Sequence, residues 1–320
     1  MARFRAYQMD TAGSSFSYWD GVTFTLIEAR CNQSNATSVF DELRLCGKDR
    51  IDALHITSWD QDHCVPDELH AILKVLRPTI IEVPRYYPQT ESAEQALREI
   101  IAYKTELQSF LPQPSAVVVD SQYVASLPVA VPWEAKNILF DCGYEDAYNF
   151  NNNSTIKLFR SGRFSVLSVG DVESANIANW LLTHSTIQQE VDILILAHHG
   201  ADNGFTTSEL IAKINPKIAI CSSNYDNQYE HPKPEIRSIL QSANVPLMTT
   251  KTGDVIVAVT NALTGQFTGF NLGANSTAVT STYSFTPKKM RNQLEKYRYN
   301  SSASQPLFGG VGINSLLMRV

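Results

Sequence analysis

Strand-length apolar runs alternate with helix-length amphipathic segments along most of the chain, and this alternation constrains the fold more than any other feature. In the first half the pattern predicts strands at 4–9, 22–29, 51–57 and 80–83 and helices at 37–46, 65–76 and 92–110. In the second half it predicts strands at 155–160, 164–169, 191–197, 217–222, 255–260 and 266–271 and helices at 173–183, 206–214 and 232–241. Two strand-rich halves, each with its own helices, predict an α/β protein in which two sheets pack together with helices outside.

The character of the sequence changes near residue 273. Ser and Thr become frequent there, and five basic residues cluster between Lys288 and Arg298. We therefore expect one domain over residues 1–272 and a Ser/Thr-rich, locally basic extension over residues 273–320. The basic cluster is either a solvated face or a contact for nucleic acid, and the extension is a candidate surface for oligomerisation or a partner protein.

Composition restricts the class of protein. The 320 residues include 26 basic and 32 acidic side chains, which give a net charge of −6 and argue against a generally basic nucleic-acid-binding protein. No apolar run approaches the roughly 20 residues that a membrane helix needs, and the N-terminus shows no secretory signal. The five cysteines form no CxxC pair. These features predict a soluble, reduced, cytoplasmic protein without a membrane segment.

Carboxylates and imidazoles gather where the predicted strands end. Strand 51–57 is followed by Ser58, Asp60, Asp62 and His63, and alternate residues of an extended loop point the same way, so these side chains can converge. Two carboxylates and an imidazole presented together suit a divalent cation. The other polar clusters at such positions are Asp171, the pair His198 and His199, His231, and the run Asn151–Ser154.

In order, these motifs resemble those of a known fold. The run Thr57-Ser58-Trp59-Asp60-Gln61-Asp62-His63 resembles the T-H-x-H-x-D-H signature of the metallo-β-lactamase fold. It is most similar to the T-H-P-D-A-D-H variant in the hydrolase domain of the ComEC competence (DNA-uptake) family. The motifs that resemble the rest of that family's set are Asn152-x-Ser154, Val169-Gly170-Asp171, Ala197-His198-His199-Gly200 and His231-Pro232-x-Pro234-Glu235. The resemblance covers about residues 3–260 and implies a four-layer αββα sandwich.

The resemblance also implies a set of site residues. The implied metal ligands are Asp60, Asp62, His63, Asp171 and either His198 or His199, between which the sequence does not decide. Asp171 is the carboxylate that could bridge two ions. His231 would face the substrate as an acid or a phosphate contact. Ser58, Asn152 and Ser154 are additional candidates.

Three positions depart from the family pattern. Ser58 stands where the first histidine ligand of the fold belongs, Asp60 replaces the second, and the usual third histidine is absent near Asn152. One metal position has therefore lost nitrogen ligands while the other keeps its full set. Oxygen-rich ligands favour Mn²⁺ or Mg²⁺ more than a three-histidine zinc site would. We expect one or two divalent ions, Mn²⁺ or Zn²⁺ with Mg²⁺ as an alternative, of which one is easily lost.

The activity implied by the resemblance is that of a metal-dependent hydrolase. It would be a phosphodiesterase or nuclease that cleaves DNA through a metal-activated hydroxide. Asp62 and Asp171 would position the attacking water, and His231 would donate a proton or hydrogen bond to the phosphate. A cytoplasmic form suggests DNA processing or antiviral (anti-phage) defence. Two alternatives stay open, which are hydrolysis of a small cyclic nucleotide or ester, and a catalytically degraded binding module on the same fold.

Overall fold

The structure is a computed structural model that describes residues 2–109, 112–143, 145–161, 163–261 and 265–293. The first half contains β1 (Arg3–Ala6), β2 (Phe16–Trp19), β3 (Phe24–Ile27), α1 (Ala36–Leu45), β4 (Ala53–His55), α2 (Pro66–Val75), β5 (Ile80–Pro84), α3 (Glu91–Glu106), β6 (Ser115–Val119), α4 (Ser121–Ser126) and β7 (Ile138–Phe140). The second half contains β8 (Ile156–Arg160), β9 (Ser165–Ser168), α5 (Ala175–Leu181), α6 (Ser185–Glu190), β10 (Ile193–Ile195), α7 (Ser208–Ile214), β11 (Ile218–Cys221), α8 (Pro234–Ser242), β12 (Leu247–Thr249), β13 (Val255–Asn261), β14 (Gln266–Leu272) and β15 (Val279–Phe285).

The strands form two sheets within the described residues. The first sheet has the order β15–β14–β13–β1–β2–β3–β4–β5–β6, and the second has the order β12–β11–β10–β9–β8–β7. Strands β3 to β6 are parallel, as are β9 to β12, and the remaining pairs are antiparallel. Each sheet therefore has a parallel half, where the carboxyl ends of neighbouring strands meet at one edge.

The two sheets bury one face of each against the other. Tyr18 of β2 lies 5.5 Å from Phe159 of β8 and 5.6 Å from Phe164, measured between ring centroids. These rings belong to an apolar core to which both sheets contribute, including Ile27 of β3 and Ile195 of β10. Since side chains alternate between the faces of a strand, the neighbouring residues point outward.

Helices cover both outer faces. Leu26 and Leu54 of the first sheet pack in one core with α1, α2 and α3, and Leu167 and Leu194 of the second sheet pack in another core with α5 to α8. The order of layers is helices, sheet, sheet, helices, and the predicted four-layer αββα sandwich is confirmed. Every helix among the described residues is too short or too polar to span a lipid bilayer.

The strand at Phe16–Trp19 is absent from the sequence prediction. Strand β2 pairs antiparallel with both β1 and β3, so it occupies the centre of an antiparallel meander. Its four residues, Phe-Ser-Tyr-Trp, bury aromatic side chains on both faces, which hides the alternation of apolar and polar residues that the prediction depends on.

Part of the predicted extension belongs to the first sheet. Strand β15 pairs antiparallel with β14, and Phe285 at its end is 6% exposed within the core between the sheets. The chain therefore does not leave the sandwich at residue 273, because the edge of β14 provides hydrogen-bonding groups for one more strand. The division into 1–272 and 273–320 otherwise stays a prediction.

The basic cluster begins at Lys288, on the side of the sandwich where the amino ends of the parallel strands lie. The site residues described in the next section lie at the opposite, carboxyl ends. The main-chain nitrogen of Lys288 donates to Asp192 Oδ1 at 2.8 Å, and its ammonium donates to the carbonyl of Ile214. Asp192 directly precedes β10, so Lys288 lies at the amino end of that strand. Burial, only partly offset by Asp192, lowers the pKa of Lys288 to about 8. Lys296 and Arg298 lie outside the described residues.

Candidate metal centre

The carboxyl ends of four parallel strands bring the predicted site residues to one edge of the sandwich. Asp62 and His63 follow β4, Asp171 follows β9, and His199 follows β10. The neighbouring strand β11 contributes the carbonyl of Ser222. Strand ends of two facing sheets thus surround one position, although the residues are far apart in sequence.

Four of these side chains form a compact cluster, which we call the metal cluster: Asp62, His63, Asp171 and His199. One ligand atom from each lies within 4.8 Å of all the others. His63 Nε2 is 2.9 Å from Asp171 Oδ1, and His199 Nε2 is 3.0 Å from Asp62 Oδ2. Ligands about 2.1 Å from one ion, at tetrahedral or octahedral angles, are separated by about 3.0–3.4 Å. Two other pairs, His63 Nε2 with Asp62 Oδ1 and His199 Nε2 with Asp171 Oδ2, are 3.8 and 3.9 Å apart, so the cluster has about the size expected around one divalent ion and is slightly expanded.

Hydrogen bonding supports the fit of an ion. His63 Nε2 is buried and has no hydrogen-bond partner of acceptable geometry, although Asp171 Oδ1 is close by. A buried ring nitrogen without a partner is costly. A cation between the imidazole and the carboxylate removes that cost, because both groups then act as ligands.

The charges of the metal cluster also favour a cation. Burial would raise the pKa of Asp62, but the charges of His63 and His199 outweigh it and hold that pKa well below its usual range. Conversely, burial would lower the pKa of His63, but Asp171, Glu28 and Asp62 raise it well above its usual range. The carboxylates thus attract positive charge, which either protons or a divalent ion can supply.

Glu28 positions His63. This carboxylate is 1% exposed, accepts hydrogen bonds from Thr57 N at 3.0 Å and Thr57 Oγ1 at 2.6 Å, and has Oε1 3.2 Å from His63 Nδ1. Thr57 Oγ1 lies within hydrogen-bond distance of His63 Nδ1 as well, at 3.2 Å, so the two residues hold the imidazole together. A carboxylate on the far nitrogen fixes the imidazole tautomer and orients Nε2 toward a metal. Glu28 has φ +70°, a conformation that non-glycine residues rarely adopt. Sequence analysis missed Glu28, although it is a carboxylate at the end of a predicted strand, as Asp171 is.

His199 is oriented by a main-chain carbonyl. Its Nδ1 lies 2.9 Å from the carbonyl oxygen of Ser222, and a proton on Nδ1 leaves the lone pair of Nε2 free for a metal. His198 and His199 have φ of +44° and +54°, so two consecutive residues adopt left-handed backbone. Each such residue costs about 1–2 kcal/mol, and strain of this kind concentrates at functional sites.

His198 lies beside the metal cluster rather than within it. Its Nδ1 is 2.7 Å from Glu173 Oε1, while its Nε2 is 4.0 Å from Asp171 Oδ2. The structure therefore places His199 within the metal cluster and His198 at the wall of the adjoining cleft. The sequence left this choice undecided because the two residues are adjacent in one motif.

Ser58 and Asp60 form a separate polar pair. Ser58 Oγ is fully buried, lies 2.9 Å from the Tyr86 hydroxyl, and donates to Asp60 Oδ2 at 3.1 Å. Burial and the nearby Asp62 raise the pKa of Asp60, against a lowering contribution from Ser58. Among the His, Cys, Asp and Glu side chains of the described residues, the group able to hold a metal does not include Asp60. The role of Ser58 and Asp60 as ligands of a second ion therefore stays a prediction.

Asn152 and Ser154 support the loop that carries Asp171. Ser154 Oγ accepts a hydrogen bond from Asp171 N at 3.1 Å, and Asn152 Oδ1 accepts from the main-chain nitrogens of Glu173 and Ser174 at 3.0 and 2.9 Å. Both side chains are thus occupied by main-chain donors. They therefore hold the loop that carries Asp171 in place, and their role as additional ligands stays a prediction.

A cleft of about 260 Å³ opens beside the metal cluster, and we call it the metal cleft. Asp62, His198, His199, Ser222 and His231 are among its walls. Burial and the charges of His199 and His198 lower the pKa of His231 to about 4. His231 is therefore a neutral imidazole at neutral pH, suited to hydrogen bonding with a substrate.

A larger hollow of about 790 Å³ lies elsewhere, between β7, β8 and α4. Lys157 and Arg160 are among its walls, and both are paired with buried carboxylates, Glu82 and Glu190. The residues that line it are separate from the metal cluster. Volume alone therefore does not identify the functional site, and the ligand geometry does.

Comparison with known proteins gives one sequence relative and several structural ones. No family model matches the chain. ComE operon protein 3 of Bacillus subtilis (strain 168) is 27% identical over 208 residues, which are 64% of this chain and 24% of that protein. The chain thus spans about a quarter of the length of this relative.

The solved structures similar to this chain are distant. CmlA, a diiron β-hydroxylase from Streptomyces venezuelae, has a TM-score of 0.47 and 14% identity, covering 80% of this chain and 54% of that chain. The metallo hydrolase Igni18 from Ignicoccus hospitalis KIN4/I has a TM-score of 0.45 and 10% identity, covering 80% and 99%. A diphosphatase from the PhnP family has a TM-score of 0.43 and 14% identity, covering 80% and 98%.

The sequence likeness to ComE operon protein 3 agrees with the motif resemblance to the ComEC hydrolase domain. The layers of the sandwich and the strand ends that carry the metal cluster agree with it as well. The chain has the αββα architecture of the metallo-β-lactamase fold and a His/Asp cluster able to hold a divalent metal ion.

Proposed function

We propose that the chain is a metal-dependent phosphodiesterase that cleaves nucleic acid at the metal cleft. The observation that supports this most strongly is the convergence of four ligand atoms within 4.8 Å of one another beside an open cleft, whose walls include Asp62 and His199. The motif resemblance to the ComEC family favours DNA as the substrate. The proposal extends to the location of the protein, which we expect to be the cytoplasm.

Each residue of the metal cleft has a distinct role in this proposal. A divalent ion, when bound, supplies a Lewis acid that polarises a phosphoryl oxygen and lowers the pKa of water. Asp62, whose side chain is 31% exposed, holds the ion and orients the attacking water, while the buried Asp171 serves as a ligand alone. His231 donates a hydrogen bond to a phosphate oxygen from its neutral imidazole.

The donor set narrows the choice of metal. Two imidazole nitrogens and two carboxylates suit Zn²⁺ and Mn²⁺, whereas Mg²⁺ prefers oxygen ligands alone. The four side chains of the metal cluster account for one ion, so we expect one tightly held ion per chain, with any second ion at Ser58 and Asp60 held more weakly.

The test uses the full chain, stripped of metal and reloaded with Mn²⁺, Zn²⁺ or Mg²⁺. We expect Mn²⁺ or Zn²⁺ to restore cleavage of a DNA oligonucleotide, with one tight ion per chain by elemental analysis. Asp171→Ala should abolish both turnover and tight binding, since it removes a charged ligand. Asp49→Ala is the matched control, because Asp49 is an exposed carboxylate that precedes β4, at the opposite end of that strand from the metal cluster.

The other outcomes identify the alternatives. Cleavage of cyclic nucleotides or esters without cleavage of any oligonucleotide would assign the site to small substrates. If the wild type bound no metal tightly, the chain would be a catalytically degraded binding module on the same fold. Equal loss of activity in Asp49→Ala and Asp171→Ala would contradict the assignment of the metal cluster.

A further inference from the structure

The loop between β11 and α8 carries an exposed tyrosine beside the metal cleft. We infer that Tyr229 stacks on an unpaired base, so that the substrate is a single-stranded nucleic acid whose chain crosses this ring to reach the metal cluster. The inference rests on the proposed function, since it names the substrate class of the same site.

Three aromatic rings lie nearly parallel between the protein surface and the metal cluster. The ring centroids of Tyr229 and His231 are 5.7 Å apart with 24° between the planes, and those of His231 and His199 are 6.3 Å apart with 9° between the planes. Such distances are typical of offset stacking. Tyr229 ends the series and is 57% exposed, so a flat group on the substrate can extend it.

One amide side chain fixes the loop that carries Tyr229. Asn227 Oδ1 accepts a hydrogen bond from His231 N at 2.6 Å, and Asn227 Nδ2 donates to the carbonyls of Asn224 and His231 at 3.1 and 3.2 Å. These bonds close the loop on both sides of Tyr229. A ring held in place before binding loses little conformational entropy when a base stacks on it.

A second hollow, which we call the outer groove, adjoins the metal cleft. Its volume is about 530 Å³, and it shares Ala12, Asp62 and Tyr229 with the metal cleft. Tyr229 therefore stands at the junction of the two hollows. A site that continues past the metal cleft in this way has room for neighbouring nucleotides, which favours a chain over an isolated nucleotide.

The walls of the outer groove favour stacking over ionic recognition. The basic side chain in the wall of this groove is Arg30. Its guanidinium lies 3.1 Å from Glu68 and donates to the carbonyls of Ala12 and Gln61 at 2.9 and 2.8 Å. This charge is already occupied by protein partners. Affinity for the strand must therefore come from aromatic contact more than from pairing with phosphates.

Stacking on Tyr229 requires a base with a free face. In a duplex, each internal base is covered on both faces by its neighbours, whereas the bases of a single strand can turn outward onto a side chain. The geometry at Tyr229 thus selects single strands over the interior of a duplex.

The experiment compares a short oligodeoxythymidylate with a matched strand of abasic residues. Binding is measured by fluorescence anisotropy in EDTA, and cleavage separately in Mn²⁺. We expect Tyr229→Ala to weaken binding and lower kcat/KM for the base-bearing strand about tenfold, within the range for one lost base–aromatic stack. The abasic strand should be unaffected, and Tyr229→Phe should behave as wild type. Tyr225→Ala is the matched control, since Tyr225 lies in the same loop, is 72% exposed and lines neither hollow.

Separate results overturn the two proposals. The inference about Tyr229 would be overturned if Tyr229→Ala changed binding of both strands equally or of neither. It would also be overturned if the wild type bound no strand, or if it cleaved single strands and closed duplexes equally. If no metal restored cleavage but the base-bearing strand still bound more tightly than the abasic strand, the proposed phosphodiesterase activity would be overturned. The stacking site at Tyr229 would then remain supported.

Discussion

At the scale of single residues, the buried carboxylate of Glu28 lies directly behind His63 of the metal cluster. Glu28→Gln keeps the volume and one acceptor oxygen but removes the charge that faces His63 Nδ1. We expect metal affinity to fall about 10–100-fold, the usual effect of losing such a partner, while the protein stays folded. Competition with a chelating indicator measures the affinity, and circular dichroism checks the fold.

Glu42→Gln is the control for this substitution. Glu42 is equally buried, at 1% exposure, and it pairs with Arg3 on the far side of the sheet from the metal cluster. This variant should lose stability without losing metal affinity. If both variants bind metal alike, Glu28 has no part in positioning His63.

Some site residues can be identified from a sequence motif, whereas the position of others is set by contacts with distant elements of the fold. Asp62, His63 and Asp171 stand at the ends of predicted strands, so sequence and structure bring the same residues to one edge. Ser58 and Asp60 stand in the same motif, but Ser58 hydrogen-bonds to the hydroxyl of Tyr86, which follows β5, and itself donates to Asp60. The sequence could not predict this, because the partner lies in a different element.

At the scale of elements, long amphipathic helices were predicted well and short elements poorly. Helix α3 was predicted at 92–110 and begins at Glu91, where Thr90 accepts a hydrogen bond from Ala93 N and caps it. Helices α4 and α6 have six residues each and were not predicted, since less than two full turns show too little periodicity. Their positions depend on tertiary contacts, since α4 lies against β6 of the first sheet and α6 packs Ile187 into the core beneath the second sheet.

Strands β4, β5 and β8 share a buried ionic network that links the two sheets. Glu82 Oε2 lies 2.7 Å from His55 Nδ1 and 2.5 Å from Lys157 Nζ. Burial would raise the pKa of Glu82, but Lys157 and His55 outweigh it and hold that pKa well below its usual range. Glu82→Gln leaves the buried ammonium without its carboxylate, and we expect a loss of about 3 kcal/mol, measured by urea unfolding.

The same network predicts a pH dependence. Because the folded pKa of Glu82 is depressed, its contribution is complete above the unfolded value of about 4.3 and is lost as the pH falls below it. The wild type should therefore lose stability more steeply below pH ~5 than Glu82→Gln does. Glu106→Gln, at an exposed pair with Lys74, is the control and should change the pH profile far less, because solvent screens that pair. Parallel profiles for wild type and Glu82→Gln would contradict the assignment.

At the scale of the whole molecule, the pattern of apolar residues predicts the two-sheet sandwich, but it does not predict the edge strand β15. Two strand-rich halves with outer helices were predictable, because each sheet needs one face for the other sheet and one for helices. The pairing of β15 was not predictable, since four of its seven residues are Ser or Thr and every side chain of the strand except Phe285 is exposed. A polar edge strand looks like a linker in sequence.

The end of the folded unit can be tested at β15. Phe285 is 6% exposed, its ring centroid lies 6.2 Å from that of Phe267, and both belong to the core between the sheets. Phe285→Ala should therefore destabilise the protein by about 3 kcal/mol, as expected for removing a buried ring. Val279→Ala, on the same strand at 52% exposure, should change the unfolding midpoint little. If both substitutions were equally mild, β15 would be a loosely attached extension and the sandwich would end with β14, as the composition alone predicts.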